Sequence, residues 1–287
     1  MGEAAGKIEY SLSDELLEDP SVLRQRILQV VQERLLAEPT YALGSFDRAT
    51  ASGVMFLLGR LAPNRGAAAQ ICIVLNKRSQ SVRQSGDLCC PGGTVETRLD
   101  RHLAKLLLLP FSPLKRWPLW KKLHHDRPQS IPLLALLVAT ALREGWEEMR
   151  LNPFGIDFLG PLPLQRLILF QRVIYPMAGW IRNQHRFVPS WEVEKIVAIP
   201  LRSLLNPIHY ANYRIYVPPA VEKKLNRTVQ DMPCFLHRCQ DHTEILWGAT
   251  YRIVMQFLEL VFGFSPPDPE TLPMVPGIMD ENYICSR

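Results

Sequence analysis

Four charged residues near the middle of the chain have the types and spacing of a cation-binding helix. Arg143, Glu144, Glu147 and Glu148 fall within one short run. On a helix, residues three or four apart share a face, so these carboxylates would crowd together and repel one another. Arg143 can pair with Glu147, and Mg²⁺ or Mn²⁺ would supply the remaining positive charge. The run predicts a divalent-cation site, with a solvated, ion-paired helix face as the alternative.

A glycine turn lies upstream of these acids. Gly92 and Gly93 follow Pro91, and glycine permits positive φ and a close approach of backbone to a ligand. A backbone carbonyl at this turn could complete the ligand shell of a cation, and Glu96 and Asp100 follow as further acids. A cation held there would polarise a phosphoryl group and lower the pKa of bound water. Together the two segments favour metal-assisted chemistry at phosphorus.

The elements that must position these residues alternate between strands and helices. Short apolar runs rich in Val and Ile predict buried strands, and apolar residues at helical spacing predict amphipathic helices. Strands are predicted over 53–59, 70–75, 157–160, 173–175, 177–181 and 195–199, and helices over 19–36, 133–151 and 248–262. The second helix carries the four charged residues at its C-terminal end.

Composition and length predict a globular chain with one main domain. The 287 residues are 47% hydrophobic and 21% charged, which is ordinary for a soluble fold. We predict an N-terminal helical extension over 1–48, a main domain over 49–262 and a Pro-rich tail over 263–287 that is extended or loosely ordered. The longest apolar run, 131–142, is shorter than the roughly 20 residues of a spanning helix, so no transmembrane segment is predicted.

Residues 101–130 differ from the rest of the chain and are called the basic insertion below. Prolines break regular structure there, and two tryptophans and a run of leucines are interleaved with the charges. One interpretation is a lid, or a patch that touches phosphate or a membrane; the other is a solvated insertion packed on its own domain. Its single acid is Asp126, and its basic residues are Arg101, Lys105, Lys115, Arg116, Lys121, Lys122 and Arg127.

Net charge and cysteine content bear on the type of substrate and on the cellular compartment. A net charge of +5 suits an anionic small-molecule substrate, although it does not separate that from weak binding to nucleic acid or anionic lipid. Six cysteines in a chain this long predict reduced thiols in the cytoplasm, with an organellar matrix as the second option. A possible zinc site is formed by four residues, but their spacing is unusually tight, and strand alternation would separate the first two. The four residues are Cys234, His237, Cys239 and His242.

Taken in order, these segments resemble the Nudix box. The box has a Gly-Gly turn, a nearby acid, and Arg-Glu-x-x-Glu-Glu followed by a hydrophobic residue. Flanking segments are similar to the coenzyme A diphosphatase branch of that superfamily, and the resemblance covers roughly residues 50 to 262. The matching segments are 75–79, 82–83, 86–93, 139–144, 158–163, 192–193, 199–201 and 245–250.

The resemblance implies a fold, a site and a reaction. The fold would be α/β (α+β), a Nudix-type α/β/α sandwich with a mixed sheet. The reaction would be metal-dependent cleavage of a diphosphate linkage in a nucleoside diphosphate derivative, with coenzyme A or acyl-CoA as the leading substrate. A homodimer is compatible with it, and no nucleic-acid partner is expected. The implied metal ligands are Gly92 (through its carbonyl), Glu144, Glu147 and Glu148, with Arg143 orienting the glutamates, and the implied substrate-binding residues are Arg78, Arg83 and Gly93.

Four departures from the family pattern bear on this expectation. The basic insertion separates the glycine turn from Arg143 by about fifty residues. The expected upstream acid falls at Leu99, one position before Asp100. Arg150 replaces the glycine that ends the family helix, which loses the left-handed cap geometry unless Asn152 substitutes.

The fourth departure concerns the substrate loop. Gln84 and Ser85 stand where the coenzyme A branch commonly has a histidine. The first three departures leave the acids intact, whereas the fourth weakens the choice of substrate. The alternative is a catalytically impaired Nudix-like binding module that senses a nucleotide or an anionic lipid through the basic insertion.

Overall fold

The computed structural model describes residues 14–37, 47, 50–63, 66–96, 98–167, 171–216, 228–239 and 242–278. Parts of the predicted extension (1–13, 38–46 and 48) and of the predicted tail (279–287) lie outside these ranges. The helices are α1 (Pro20–Ala37), α2 (Leu99–Leu106), α3 (Trp120–Asp126), α4 (Ile131–Met149), α5 (Leu201–Leu204) and α6 (Gly248–Phe262).

The strands form two sheets. Those of the first are β1 (Ala51–Leu61), β2 (Gln70–Arg78), β3 (Leu88–Cys89), β4 (Gly92–Thr94), β5 (Ile156–Pro161), β6 (Gln165–Leu167), β7 (Arg172–Ile181) and β8 (Val193–Pro200). Those of the second are β9 (Tyr210–Tyr216), β10 (Val229–Arg238), β11 (Thr243–Leu246) and β12 (Met274–Ile278).

The larger sheet is mixed. Its strands run in the order β3-β2-β1-β7-β5, with β4 also paired to β1, β6 to β7 and β8 to β2. β1 and β7 are parallel, whereas the other pairs in this sheet are antiparallel. β1 is buried at every residue except Arg60. A strand buried on both sides requires cover on both faces of its sheet.

Helices provide this cover. On one face, α4 passes so close to Gly53 of β1 that a Cβ atom there would lie 2.6 Å from the carbonyl oxygen of Leu137. On the other, the ring of Phe257 in α6 lies 4.6 Å from the ring of Phe56. Gly53 and Phe56 face opposite ways because side chains alternate along a strand. The predicted α/β (α+β) sandwich with a mixed sheet is therefore confirmed.

The second sheet has the order β11-β10-β9-β12, and β12 runs parallel to β9. β12 comes from the segment predicted to be an extended or loosely ordered tail, so residues 274–278 are instead a paired strand. The first sheet contacts this one through Glu244 of β11, which forms ion pairs with Lys77 of β2 and Lys195 of β8.

The basic insertion contributes to the core. Trp117 is buried and its indole N–H donates a 2.9 Å hydrogen bond to the carbonyl oxygen of Leu159 in β5. Leu114, Trp120 and Leu123 are buried in the same cluster. The second half of the insertion is therefore packed on its own domain. No helix within the described ranges combines the length and apolar character needed to cross a bilayer.

The local predictions agree with most of the elements. The predicted helices over 19–36, 133–151 and 248–262 correspond to α1, α4 and α6. The predicted strands are confirmed, except that 173–175 and 177–181 were wrongly divided: they form the single strand β7 through Pro176. Proline lacks an N–H and suggests a break, but β7 continues through it, still paired to β1 with Pro176 opposite Val54.

Candidate active site

Glu148 is the buried carboxylate at the centre of the candidate site. It lies near the end of α4 with only 6% of its surface exposed. Its Oε2 atom accepts hydrogen bonds from the Asn76 side-chain amide at 2.9 Å and from the Gly92 N–H at 3.1 Å. Asn76 is fully buried on β2. Strands β2 and β4, which are distant from α4 in the sequence, thus hold one carboxylate oxygen.

The structure corrects the predicted turn: Pro91 lies at a bend, and Gly92 and Gly93 begin strand β4, opposite Val54 and Gly53 of β1. Residues 91–93 keep the name glycine turn below, and both glycines are needed for this approach. Gly92 has φ +155°, and a Cβ atom there would lie 2.5 Å from the Cα of Val54. A Cβ atom on Gly93 would overlap the carboxylate of Glu144. The Gly92–Gly93 turn therefore lies against both Glu144 and Glu148, as the spacing of the acids on the helix predicts.

Arg143 binds three carboxylates. Its Nε lies 2.7 Å from Asp100, its Nη1 2.9 Å from Glu147 and its Nη2 3.0 Å from Glu144. The pairing with Glu147 that the four-residue spacing predicted is confirmed. Glu147 is half-exposed, so it is the outermost of the three glutamates. With three acids around it, Arg143 cannot neutralise the cluster alone.

Asp100 is the site residue whose role the sequence did not reveal. It is fully buried at the start of α2 and binds Arg143 across 43 positions of sequence. It also accepts hydrogen bonds from the Thr140 hydroxyl at 2.8 Å and from the Glu96 N–H at 2.7 Å. Asp100 thus fills the place of the acid expected at Leu99. The only available signal was its position beside that expected acid.

The carboxylates next to the turn are short of positive charge. Burial raises the pKa of Glu148 to about 8; the Gly92 N–H opposes this shift, and Glu144 adds to it. Burial also raises the pKa of Glu144, although Arg143 partly offsets this. Both carboxylates would be stabilised in their charged form by an additional cation.

The donor chemistry fits a hard divalent cation. Glu144 and Glu148 present carboxylate oxygens, and the Oδ1 atom of Asn76 is buried without a hydrogen-bond partner in the described part of the chain. Oxygen donors of this kind are what Mg²⁺ and Mn²⁺ prefer. Among the described residues, no group of three or more His, Cys, Asp or Glu side chains is arranged so that it could hold a metal ion. Glu147 and the Gly92 carbonyl remain predicted ligands.

Two arginines lie beside the acids. The charge of Arg78 lowers the pKa of Glu148, and its Nε donates a 2.7 Å hydrogen bond to the carbonyl oxygen of Arg83. The side chain of Arg83 is exposed to solvent, and its backbone carbonyl helps to hold the side chain of Arg78. Arg172, which the sequence analysis did not identify, donates to the side chains of Ser52 and Thr94 in β1 and β4. Arg78 and Arg172 place positive charge near the glycine turn.

The end of α4 corrects one expectation. Arg150 itself adopts the left-handed conformation, with φ 54° and ψ 40°, and the Leu151 N–H bonds to the Gly145 carbonyl at 3.1 Å. Asn152 does not substitute for it; its side chain accepts from the Phe154 N–H and caps the following turn. Arg150 therefore keeps the left-handed cap geometry that the resemblance assigns to a glycine.

Comparison with known proteins gives distant structural likenesses. No family model and no curated protein matches the chain. Among solved structures, it is similar to a Nudix hydrolase from Nitrosomonas europaea (11% identity, 80% of this chain and 78% of that one, TM-score 0.38). A Nudix hydrolase from Alicyclobacillus acidocaldarius gives 11% identity, 77% and 98% coverage and a TM-score of 0.37. The Nudix hydrolase RenU from M. smegmatis is 13% identical over 54% of this chain and 73% of that one, with a TM-score of 0.33.

Proposed function

We propose that this chain is a Nudix-type hydrolase that cuts a diphosphate linkage with water, using Mg²⁺ or Mn²⁺. The observation that carries the proposal is the placement of Glu144 and Glu148 against the Gly92–Gly93 turn, at the end of a helix packed on a mixed sheet. The order of the motifs along the sequence supports the same superfamily. The buried link from Asp100 to Arg143 supplies the acid that the split motif had left unassigned.

Each residue has a part that follows from its contacts. Glu144 and Glu148 would hold the cation, which supplies positive charge to phosphate oxygens and makes water a better nucleophile at neutral pH. Arg143, fixed by Asp100, keeps Glu144 and Glu147 in place. Oε2 of Glu148 is held by two N–H donors, so this carboxylate is fixed in orientation and can accept a proton.

Coenzyme A or an acyl-CoA is the substrate that we infer. The segment from Arg78 to Gly93 carries most of the resemblance to the coenzyme A branch, and it connects β2 through β3 to the glycine turn. Arg78 and the exposed Arg83 lie on this segment, where guanidinium groups can bind phosphate oxygens. Gln84 in place of a histidine argues for testing other nucleoside diphosphate derivatives alongside.

A substrate panel tests the proposal. The purified protein is incubated with coenzyme A, an acyl-CoA, a nucleotide sugar and a dinucleoside polyphosphate, each with Mg²⁺, with Mn²⁺ or with a chelator. We expect two phosphorylated products from at least one compound, identified by mass, and none with the chelator. Binding of these compounds without any cleavage would support the binding-module alternative instead.

A matched pair of variants tests the site. Glu148→Gln keeps the shape and burial of the side chain but removes its charge, and we expect turnover to fall at least about a hundredfold. Glu244→Gln is the control, because Glu244 is an equally buried carboxylate on the other face of β2. The proposal fails if Glu148→Gln and Glu147→Gln both retain full activity.

Two expectations from the sequence accompany this proposal. A homodimer is tested by light scattering at several protein concentrations. A cytoplasmic location is tested by fractionation of cells that express the chain.

A further inference from the structure

The basic insertion holds all of the chain's net positive charge. The whole chain has 33 Lys and Arg against 28 Asp and Glu. Seven of the basic residues and one of the acids lie in 101–130, which leaves 26 basic against 27 acidic residues elsewhere. The one acid, Asp126, is paired with Lys122 at 3.3 Å. A charge concentrated in this way is suited to an anionic surface.

The turn between α2 and α3 exposes large apolar side chains beside these charges. Leu106, Leu108, Leu109 and Phe111 are 57%, 38%, 40% and 62% exposed. Together, Leu106 to Phe111 are called the apolar tip below. Four large apolar side chains exposed within six residues of sequence are a local concentration of apolar surface of the kind that marks an interaction site.

The apolar tip is held in its exposed position by specific bonds. The hydroxyl of buried Ser112 donates to the carbonyl oxygen of Leu107. Arg116 donates to the carbonyl oxygens of Phe111 and Phe154, each at 3.1 Å, and so ties the tip to the body of the domain. The exposure is therefore built into the fold.

An open groove adjoins the tip. It has a volume of about 550 Å³ and lies between α2 and the first half of α4. Its lining includes the cationic side chains of Arg101 and Lys105 and the apolar side chains of Leu108, Leu133 and Leu136. Basic groups beside aliphatic ones match a lipid, which has an anionic head group next to hydrocarbon.

We propose that the basic insertion docks this protein on an anionic lipid bilayer, with the apolar tip entering the head-group region and Arg101 and Lys105 of the adjoining groove binding acidic head groups. Aliphatic side chains gain by entering hydrocarbon, whereas the bases of a nucleic acid offer them no comparable environment. The docking surface is distinct from Glu144, Glu148 and the glycine turn, so the inference does not depend on the proposed reaction.

Sedimentation with lipid vesicles tests the docking. The full chain is mixed with vesicles of phosphatidylcholine alone, or with about one part phosphatidylserine to two parts phosphatidylcholine. We expect binding to the anionic vesicles only, and weaker binding as salt is added. Absence of binding to the anionic vesicles, or equal binding to both kinds, would overturn the proposal. So would salt-sensitive binding to an oligonucleotide with no binding to vesicles.

Two double variants separate the charge from the apolar tip. Arg101→Glu with Lys105→Glu should weaken binding by at least about twentyfold, at about fivefold for each basic side chain removed. Leu109→Asp with Phe111→Asp should weaken it at least about tenfold. The controls are Arg252→Glu on α6 and Ile208→Asp, which change an exposed arginine and a 71% exposed apolar side chain elsewhere.

The variants need a check on folding. Thermal unfolding and turnover of a soluble substrate without vesicles should be unchanged in both double variants, because the altered side chains are exposed. Equal binding by the double variants and their controls would show that the basic insertion is not the docking surface.

Discussion

Glu148 and Glu244 are two buried carboxylates with opposite electrostatic settings. Adjacent residues of β2 hold them: Asn76 bonds to Glu148 on one face of the strand, and Lys77 pairs with Glu244 on the other. Glu148 is 6% exposed and Glu244 3% exposed. Yet burial raises the pKa of Glu148 to about 8, whereas the pKa of Glu244 is lowered because Lys195 and Lys77 outweigh its burial.

The difference lies in the partners. Glu244 is compensated within the fold, by Lys195 at 2.6 Å and Lys77 at 3.4 Å. Among the residues that the structure describes, the direct side-chain partners of Glu148 are neutral N–H groups. Burial of an ion without a charged partner is costly, so a fold that leaves one in this state is suited to receive a cation from outside. At similar burial, the partners give Glu244 the setting of a structural carboxylate and Glu148 the setting of the cation-binding group that we propose.

The largest expected effect comes from Asp100→Asn, which removes the fixed partner of Arg143. The buried guanidinium would lose its charged anchor, so we expect the free energy of unfolding to fall by about 3 kcal/mol. Turnover should fall at least about a hundredfold, since Glu144 and Glu147 lose their support. Urea unfolding and the substrate panel measure the two effects. Glu96→Gln changes an exposed acid nearby and should alter neither stability nor turnover. If Asp100→Asn also alters neither, Asp100 is not the anchor of Arg143.

Glu244→Gln should destabilise the fold without impairing the reaction. Its lysine partners are 20% and 34% exposed and can turn to water, so we expect a loss of about 2 kcal/mol rather than the larger cost of a fully buried pair. Because its folded pKa is lowered, the stabilisation is present above the ordinary value of 4.5 and is lost as the pH falls further. Unfolding curves of wild type and variant should converge in acid.

Glu148→Gln should have the opposite effect on stability. The raised folded pKa means that the charged carboxylate destabilises the fold increasingly as the pH rises from 4.5 to about 8. In the presence of a chelator at the upper end of this range, the variant should melt about 2–4 °C above the wild type, corresponding to roughly 1 kcal/mol. Mg²⁺ or Mn²⁺ should narrow the gap. A difference that does not change with pH would contradict the contrast with Glu244.

The smallest effect concerns the end of the helix that carries Glu148. Arg150 has φ 54°, which glycine adopts without cost, so Arg150→Gly should stabilise the protein by about 0.5–1 kcal/mol and leave turnover unchanged. The loss of its guanidinium contact with the Trp146 ring, 5.2 Å away, subtracts little from this gain at the surface. Arg150→Ala is the control. An equal gain from alanine would show that backbone conformation was not the cause.

Local pattern predicted the parts of this molecule that depend on neighbouring residues. Helical spacing placed Glu144 and Glu148 on one face and paired Arg143 with Glu147. Apolar periodicity gave α4 and the buried strand β1 to within a few residues. These features are decided within one element, where side-chain direction follows from position along the chain.

Contacts between distant segments could not be predicted in this way. Asn76 bonds to Glu148 across 72 positions, and an isolated asparagine in a strand has no periodic signal. Arg150 adopts a left-handed conformation that favours glycine, and its sequence gives no sign of this. A Cβ atom on Gly145 would lie 2.9 Å from the side chain of Leu151, so the chain must turn tightly after α4. The ion pairs of Glu244 likewise depend on the docking of a second sheet.

The bonds that shape the site span 43, 56 and 72 positions, from Asp100, Gly92 and Asn76 to the end of α4. None can form within a single helix or hairpin, so each requires closure of a long loop. Folding must therefore assemble the centre late, after sheet and helix have docked. Conversely, a local opening that separates α2 from α4 would disrupt the candidate site while most of the core stays folded. The proposed activity would then be lost under milder conditions than those that unfold the protein.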